Sequence, residues 1–193
     1  MRRNDRVGVF QLKLESQKLL ASLSKEELIA MVLDFAKRWL AHDGLWFQTI
    51  EEKHGLDEAV AVDAAAWGKF AAVEARRIMD LHGISPNGGL AALKKALRLR
   101  QYSFLTEQEI IDEAPERFIF RMNTCRVQIT RKRKGLADFP CKPVGIAEFT
   151  SFAQAIDPRI NVRCLTCPPD EHPENYFCVW EFRLQEGSTS KTE

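Results

Sequence analysis

The first 124 of 193 residues contain no cysteine, and the whole chain holds only four His, two Tyr and ten Gly. What is scarce removes several classes of function. Lys and Arg number 28 against 27 Asp and Glu, a formal net charge of +1. So balanced a chain lacks the basic face that phosphate attraction needs, and no nucleic-acid partner is expected. No apolar run reaches the roughly 18–20 residues that span a bilayer, so no membrane partner is expected either. The start, Met1-Arg2-Arg3-Asn4-Asp5-Arg6, is basic but is not followed by an apolar stretch. A secretory signal is therefore not expected, and a cytoplasmic location is. There is no Gly-rich phosphate loop and no Ser nucleophile elbow.

What remains is an ordinary globular composition, 45% hydrophobic and 28% charged. That suffices for one domain with a good core, or two small ones sharing an interface. The cysteine-free half reads as helix. Ser24-Lys25-Glu26-Glu27 fits a capping box. Leu28, Met31, Val32, Phe35 and Trp39 follow at helical spacing, and the pattern runs through Trp46, Phe47 and Ile50 to Gly55. Gly44 is expected to break or bend this helix near Asp43. Asp57 is expected to cap a second helix, with Ala59, Val62, Ala66, Phe70, Val73 and Met79 as its buried stripe and His82-Gly83 as its end. A third, Leu90 to Leu99, would carry Lys94, Lys95, Arg98 and Arg100 on its outer face. Polar residues sit among these apolar faces: Asp43, Glu51 and His54 on the first helix, Asp63, Glu74 and Arg77 on the second. Carboxylates in such company either pair with a neighbour such as Arg77 or stay partly dry with raised pKa values, as acid/base groups do. Facing Glu-x-x-His pairs are missing, so a di-iron bundle is not expected.

The second half alternates strand and helix. Gln108 to Glu113 and Glu116 to Gln128 flank the turn Ala114-Pro115, with Phe118, Phe120 and Met122 at a period of two. Val144 to Ala153 suits a helix ended by Asp157-Pro158; Ile160, Val162 and Cys164 begin a third strand, and Tyr176 to Leu184 makes a fourth. The expected fold is α+β: a helical part, residues 19–100, packed on an antiparallel sheet of about four strands with one or two helices, residues 101–185. Residues 1–18 form a polar lead-in and 186–193 a polar tail expected to fray. The Trp- and Phe-rich helix faces need cover, which a homodimer would also give.

All five cysteines lie in this half: Cys125, Cys141, Cys164, Cys167 and Cys178. An odd number cannot pair completely, and thiols grouped in a reducing cytosol more often bind metal or react. Cys164-Leu165-Thr166-Cys167 has the spacing at which two thiolates converge on zinc, with Cys125, Cys141, Cys178 and His172 available to complete four ligands. Iron–sulfur ligation, the lesser expectation, would want three closely spaced cysteines. Pro168-Pro169 argues against a thioredoxin-like dithiol, which needs a helix there. Alternatively the thiols are small buried core residues. If the protein is an enzyme, Cys141 beside Lys142 is the candidate nucleophile and His172 its candidate base. Arg131 and Arg133, in the run Arg131-Lys132-Arg133-Lys134, would then join Lys142 in holding an anionic small-molecule ligand.

Several segments carry a resemblance: His42-Asp43-Gly44-Leu45-Trp46-Phe47, Met122-Asn123-Thr124-Cys125, Phe139-Pro140-Cys141-Lys142, Ile156-Asp157-Pro158-Arg159-Ile160 and Cys164-x-x-Cys167-Pro168-Pro169-Asp170. In order and spacing, over about residues 25–184, the chain resembles an uncharacterised prokaryotic family of cytosolic proteins. More distantly it is similar to the L-2-amino-thiazoline-4-carboxylic acid hydrolase-like family and to 4-vinyl reductase-type small-molecule-binding domains. The first likeness implies a hydrolase opening a C–N bond of a small heterocyclic carboxylic acid with a cysteine. The second implies a ligand sensor or carrier with a thiolate metal site.

Overall fold

The computed structural model describes residues 14–185. The expected tail at 186–193 and most of the lead-in lie outside the described residues. After a first helix, α1 (Leu14–Ser22), the chain makes α2 (Lys25–His54). The capping box is present: Glu27 N–H donates to Ser24 Oγ at 3.1 Å, and Ser24 N–H donates to the Glu27 carboxylate at 2.8 Å. Gly44 does not break α2, which runs unbroken for 30 residues. A single helical glycine costs about 1 kcal/mol, too little to interrupt so long a hydrogen-bonded run.

Gly55, at φ 87°, closes α2 with an N–H bond to Glu51 O and directly begins α3 (Leu56–His82). Asp57 is therefore a first-turn residue rather than the cap, favourably placed against the helix dipole. The buried face of α3 is also rotated from the expected one. Ala59, Trp67, Ala71, Glu74, Ala75 and Met79 are buried, whereas Val62, Phe70 and Val73 are exposed. Small residues decide this. Gly68, Ala71 and Ala75 let α6 (Lys142–Ile156) approach closely, with Ser151 Oγ donating to Gly68 O at 2.6 Å.

α4 (Gly89–Leu97) and a 3-10 turn, Gln101–Phe104, lead into the sheet. Its strands are β1 (Gln108–Ala114), β2 (Arg117–Met122), β3 (Ile160–Thr166) and β4 (Cys178–Leu184), in the order β1-β2-β4-β3 and antiparallel throughout. The result is an α+β fold with helices flanking an open four-stranded sheet. Phe118 and Phe120 of β2 stand opposite Phe182 and Trp180 of β4. On the same face Phe149 and Phe152 of α6 complete the core, the Phe149 and Trp180 rings 4.8 Å apart. The core continues without a break into Ala71, Ala75 and Met79 of α3 and Leu93 and Leu97 of α4. Among the described residues no helix is long and apolar enough to cross a membrane.

Two local expectations are corrected. The segment after Met122 turns into a helix, α5 (Arg126–Arg133), because Gln128 and Arg131 on one side are buried and anchored. Arg100 is not on an outer face; it is 3% exposed, inside the protein.

Asp157, at the end of α6, ties the layers together. Its carboxylate accepts from Gly89 N–H at 3.0 Å and from the Arg159 guanidinium at 2.7 Å, while Asn87 N–H donates to Ile156 O at 2.8 Å. The Arg159 hydrogen bonds hold its carboxyl down at about 2, against an ordinary value near 3.9. A depressed carboxyl stabilises the fold fully above its unfolded pKa, and that contribution is lost as pH falls from about 4 through about 2. Asp157→Ala should cost about 2–4 kcal/mol in urea unfolding at neutral pH, and the gap from wild type should narrow at pH 2. A gap unchanged down to pH 2 would refute that assignment.

Candidate functional site

A cavity of about 440 Å³ lies between α2, α3, α5, α6 and the adjoining ends of β2 and β4. Helical spacing supplies most of its walls. α2 contributes Leu40, Asp43, Gly44 and Phe47, α3 contributes Asp63 and Trp67 one turn apart, and α6 contributes Val144, Gly145, Glu148 and Phe149. Trp39 braces the wall from behind, its ring meeting Trp67 and Tyr102 edge-on at 5.7 Å each. Phe47 packs on Phe139 at 4.7 Å. At Gly145 a Cβ would lie 2.5 Å from Trp180 Cζ2, so only glycine lets that indole lie against α6.

Gln128 of α5 fixes the loop beneath. It is wholly buried; its Nε2 donates to Phe139 O at 2.7 Å and its Oε1 accepts from Phe139 N–H at 2.8 Å. This clasp sets Phe139 and Cys141 against the cavity.

Cys125, Cys141, Cys167 and Cys178 line the cavity, and the Sγ atoms of Cys141 and Cys167 are 3.4 Å apart. All five cysteines are free. The zinc expectation is nevertheless overturned. Among the described residues no group of three or more His, Cys, Asp or Glu side chains could hold a metal ion, so neither a zinc nor an iron–sulfur centre is formed. The reason lies in the backbone. β3 carries Cys164 opposite Trp180 and extends to Thr166, so the Cys-x-x-Cys segment straddles a strand end. Cys167 reaches the cavity wall and Cys164 does not. His172 is elsewhere, its Nδ1 2.9 Å from Pro173 O and its ring 5.3 Å from Phe177.

The other candidate residues are accounted for individually. Arg131 is buried, makes a two-pronged ion pair with Glu51 at 2.8 and 3.0 Å, and donates to Ala137 O. Lys142 donates to Asp170 at 2.7 and 3.0 Å. Arg133 is exposed on α5 and does not line the cavity. Cys141 does line it, but no histidine does. Glu74 pairs with Arg100, not with Arg77, at 2.9 Å.

Carboxylates mark one side of the cavity. Arg100 Nη2 also reaches Glu148 at 2.6 Å, so one buried guanidinium serves two acids. Burial still pushes Glu148 up, against the pull of Arg100. Burial raises Asp43 as well. Asp63 is pushed up to about 7 by burial and by the charges of Asp43 and Glu148. Sequence reasoning picks out Asp43 and Asp63 but misses Arg100, Gln128, Gly145 and Glu148. A lone acid in the apolar run from Val144 to Phe152 is the signal that would have found Glu148.

Burial pushes the thiols of Cys125 and Cys164 up to about 12 and about 11. Cys178 is held below its ordinary range by the hydrogen bond from Cys167, whose own thiol is raised by its Cys141 and Cys178 contacts. At pH 8, iodoacetamide should therefore modify Cys125 and Cys164 at least about tenfold more slowly than an exposed peptide cysteine. Peptide mapping of a labelling time course checks this; rapid labelling of either would refute it. Gly145→Ala should cost about 1–3 kcal/mol by forcing Trp180 aside, with a shift in tryptophan emission, as read by chemical denaturation and fluorescence.

No curated protein matches the sequence. Among solved structures, the chain is similar to the phenol-responsive sensory domain of the transcription activator PoxR, determined with phenol. The TM-score is 0.51 at 14% identity, covering 73% of this chain and 72% of that one, a likeness of fold alone. Residues 20–184, nearly all of the described chain, match the Family of unknown function (DUF6125), and the protein belongs to that family.

Proposed function

We propose that the protein is a small-molecule-binding module whose cavity takes a compact, largely apolar, ring-bearing ligand. The observation that carries this reading is the cavity itself. An engineered cavity of about 150 Å³ is enough to hold benzene, so about 440 Å³ has room for a ring with substituents. Its walls are Phe47, Trp67, Phe139, Val144, Phe149 and Trp180, with a few polar groups set among them, as in ligand sites generally. The shared fold of the PoxR sensory domain, whose own description names phenol, supports the same reading. Five free thiols favour a reducing compartment, and the proposal places the protein in the cytoplasm.

Aromatic walls also provide the assay. Titrating 4-ethylphenol against the tryptophan emission, to which Trp67 and Trp180 of the cavity wall contribute, should give a saturable change, with the melting temperature rising with ligand concentration. Val144→Phe, which fills the cavity from α6, should abolish the response while leaving circular dichroism unchanged. Absence of any saturable change with phenol, 4-ethylphenol and indole would sink the proposal.

A further inference from the structure

Two segments meet at one wall of the cavity, and each brings a thiol. Cys141 stands at the start of α6, and Cys167 is the first residue past β3. Their sulfurs are 3.4 Å apart although 26 positions separate them in the chain. Neighbouring residues hold the two segments together. Lys142 N–H donates to Pro168 O at 3.0 Å, the Lys142 ammonium pairs with Asp170 at 2.7 Å, and the same carboxylate accepts from Cys167 N–H at 3.4 Å. Gln128 Nε2 lies 3.7 Å from the Cys141 sulfur and orients it. On its far side Cys167 meets Cys178. Thr166 of β3 is paired with Val179 of β4, so Cys167 and Cys178 are the next residues across the ladder, and their thiols are hydrogen bonded. Cys167 is 1% exposed, whereas Cys141 is half-buried and open to the cavity. One reachable sulfur with a second already in contact is what reversible thiol oxidation needs.

We propose that Cys141 and Cys167 form a reversible oxidation site, a dithiol that hydrogen peroxide entering the cavity converts to a disulfide. The peroxide O–O bond breaks as the Cys141 sulfur is oxidised, leaving Cys141 sulfenic acid and one water. The Cys167 sulfur then bonds to the Cys141 sulfur and expels the hydroxyl, which leaves with the Cys167 proton as a second water. Two electrons pass from the thiols to the peroxide, and an external thiol returns them by exchange. The oxidised pair ties the start of α6 to the end of β3, and so fixes the wall that carries Val144 and Gly145. The oxidation site does not depend on the ligand reading.

Other couples are less well placed. The Cys-x-x-Cys spacing would join Cys164 to Cys167, but Cys164 lies within β3 and does not reach the cavity. Cys125 does line it, yet burial pushes the thiols of Cys125 and Cys164 up to about 12 and about 11, which slows the oxidation of both.

Peptide mapping decides the matter. The reduced full chain is treated near neutral pH with a modest excess of hydrogen peroxide, then alkylated in denaturant. Trypsin leaves Cys141 on the fragment 135–159 and Cys164, Cys167 and Cys178 together on 164–183. One cross-link between these fragments should appear, with three of the five thiols left to alkylate and all five restored by dithiothreitol. Chymotrypsin, cutting after Leu165 and Phe177, then tells Cys167 from its two neighbours. Cys141→Ser should reduce the cross-link at least about tenfold, while Cys164→Ser forms it as wild type does. Should either variant fail to fold, the wild-type map alone decides. A bond confined to 164–183, a cross-link ending at Cys164 or Cys178, or a peroxide-treated chain whose sulfurs gain oxygen or stay free without joining overturns the assignment.

Discussion

One buried guanidinium joins the parts of this protein. Arg100 follows α4, yet it reaches Glu74 on α3 and Glu148 on α6 and stacks 4.6 Å above the Phe152 ring. Burying three charges costs several kcal/mol each before attraction is counted, and removing one member leaves its partners unpaired in a dry interior. The arrangement therefore specifies more than it stabilises. It fixes the relative position of α3 and α6, whose small residues then close the most extensive helix–helix contact of the fold. It also leaves one acid in excess beside a cavity already lined by Asp43 and Asp63.

The cavity is the space left by that geometry. α3 and α6 meet closely where their residues are small and separate where Trp67, Val144 and Phe149 project. The Gln128 clasp and the bare Gly145 then finish two sides, one by adding hydrogen bonds and the other by omitting a side chain. Both devices preorganise the walls before any ligand arrives.

What the sequence discloses follows the range of the forces involved. The Ser24 capping box, the stops at Gly55 and Gly83 and the period-two faces of β2 and β4 depend on near neighbours, and each is readable. The inward turn of Arg100 is not. In a basic segment an arginine reads as solvated, and only acids distant in sequence reverse that. The face of α3 misleads for a related reason. Phe70 and Val73 look like core residues, but the close approach of α6 rewards Gly68, Ala71 and Ala75 instead. The Cys-x-x-Cys spacing misleads because it does not say whether the two residues occupy one turn or the end of a strand. Here they occupy a strand end, and their paths part.

Gly55 is the only residue between α2 and α3, serving as the end of one and the start of the other. With no slack in that joint, the direction of α2 relative to α3 is set by the dihedral angles of a single residue. At 1.5 Å per residue, Lys37 lies about 27 Å from the pivot, and a rotation of about 5° there moves it by about 2 Å. Phe47, nearer the fulcrum, would move less than half as far. A small difference in the Gly55 dihedrals would thus shift Phe47 and Lys37, both on the cavity wall, together, and Lys37 the further of the two.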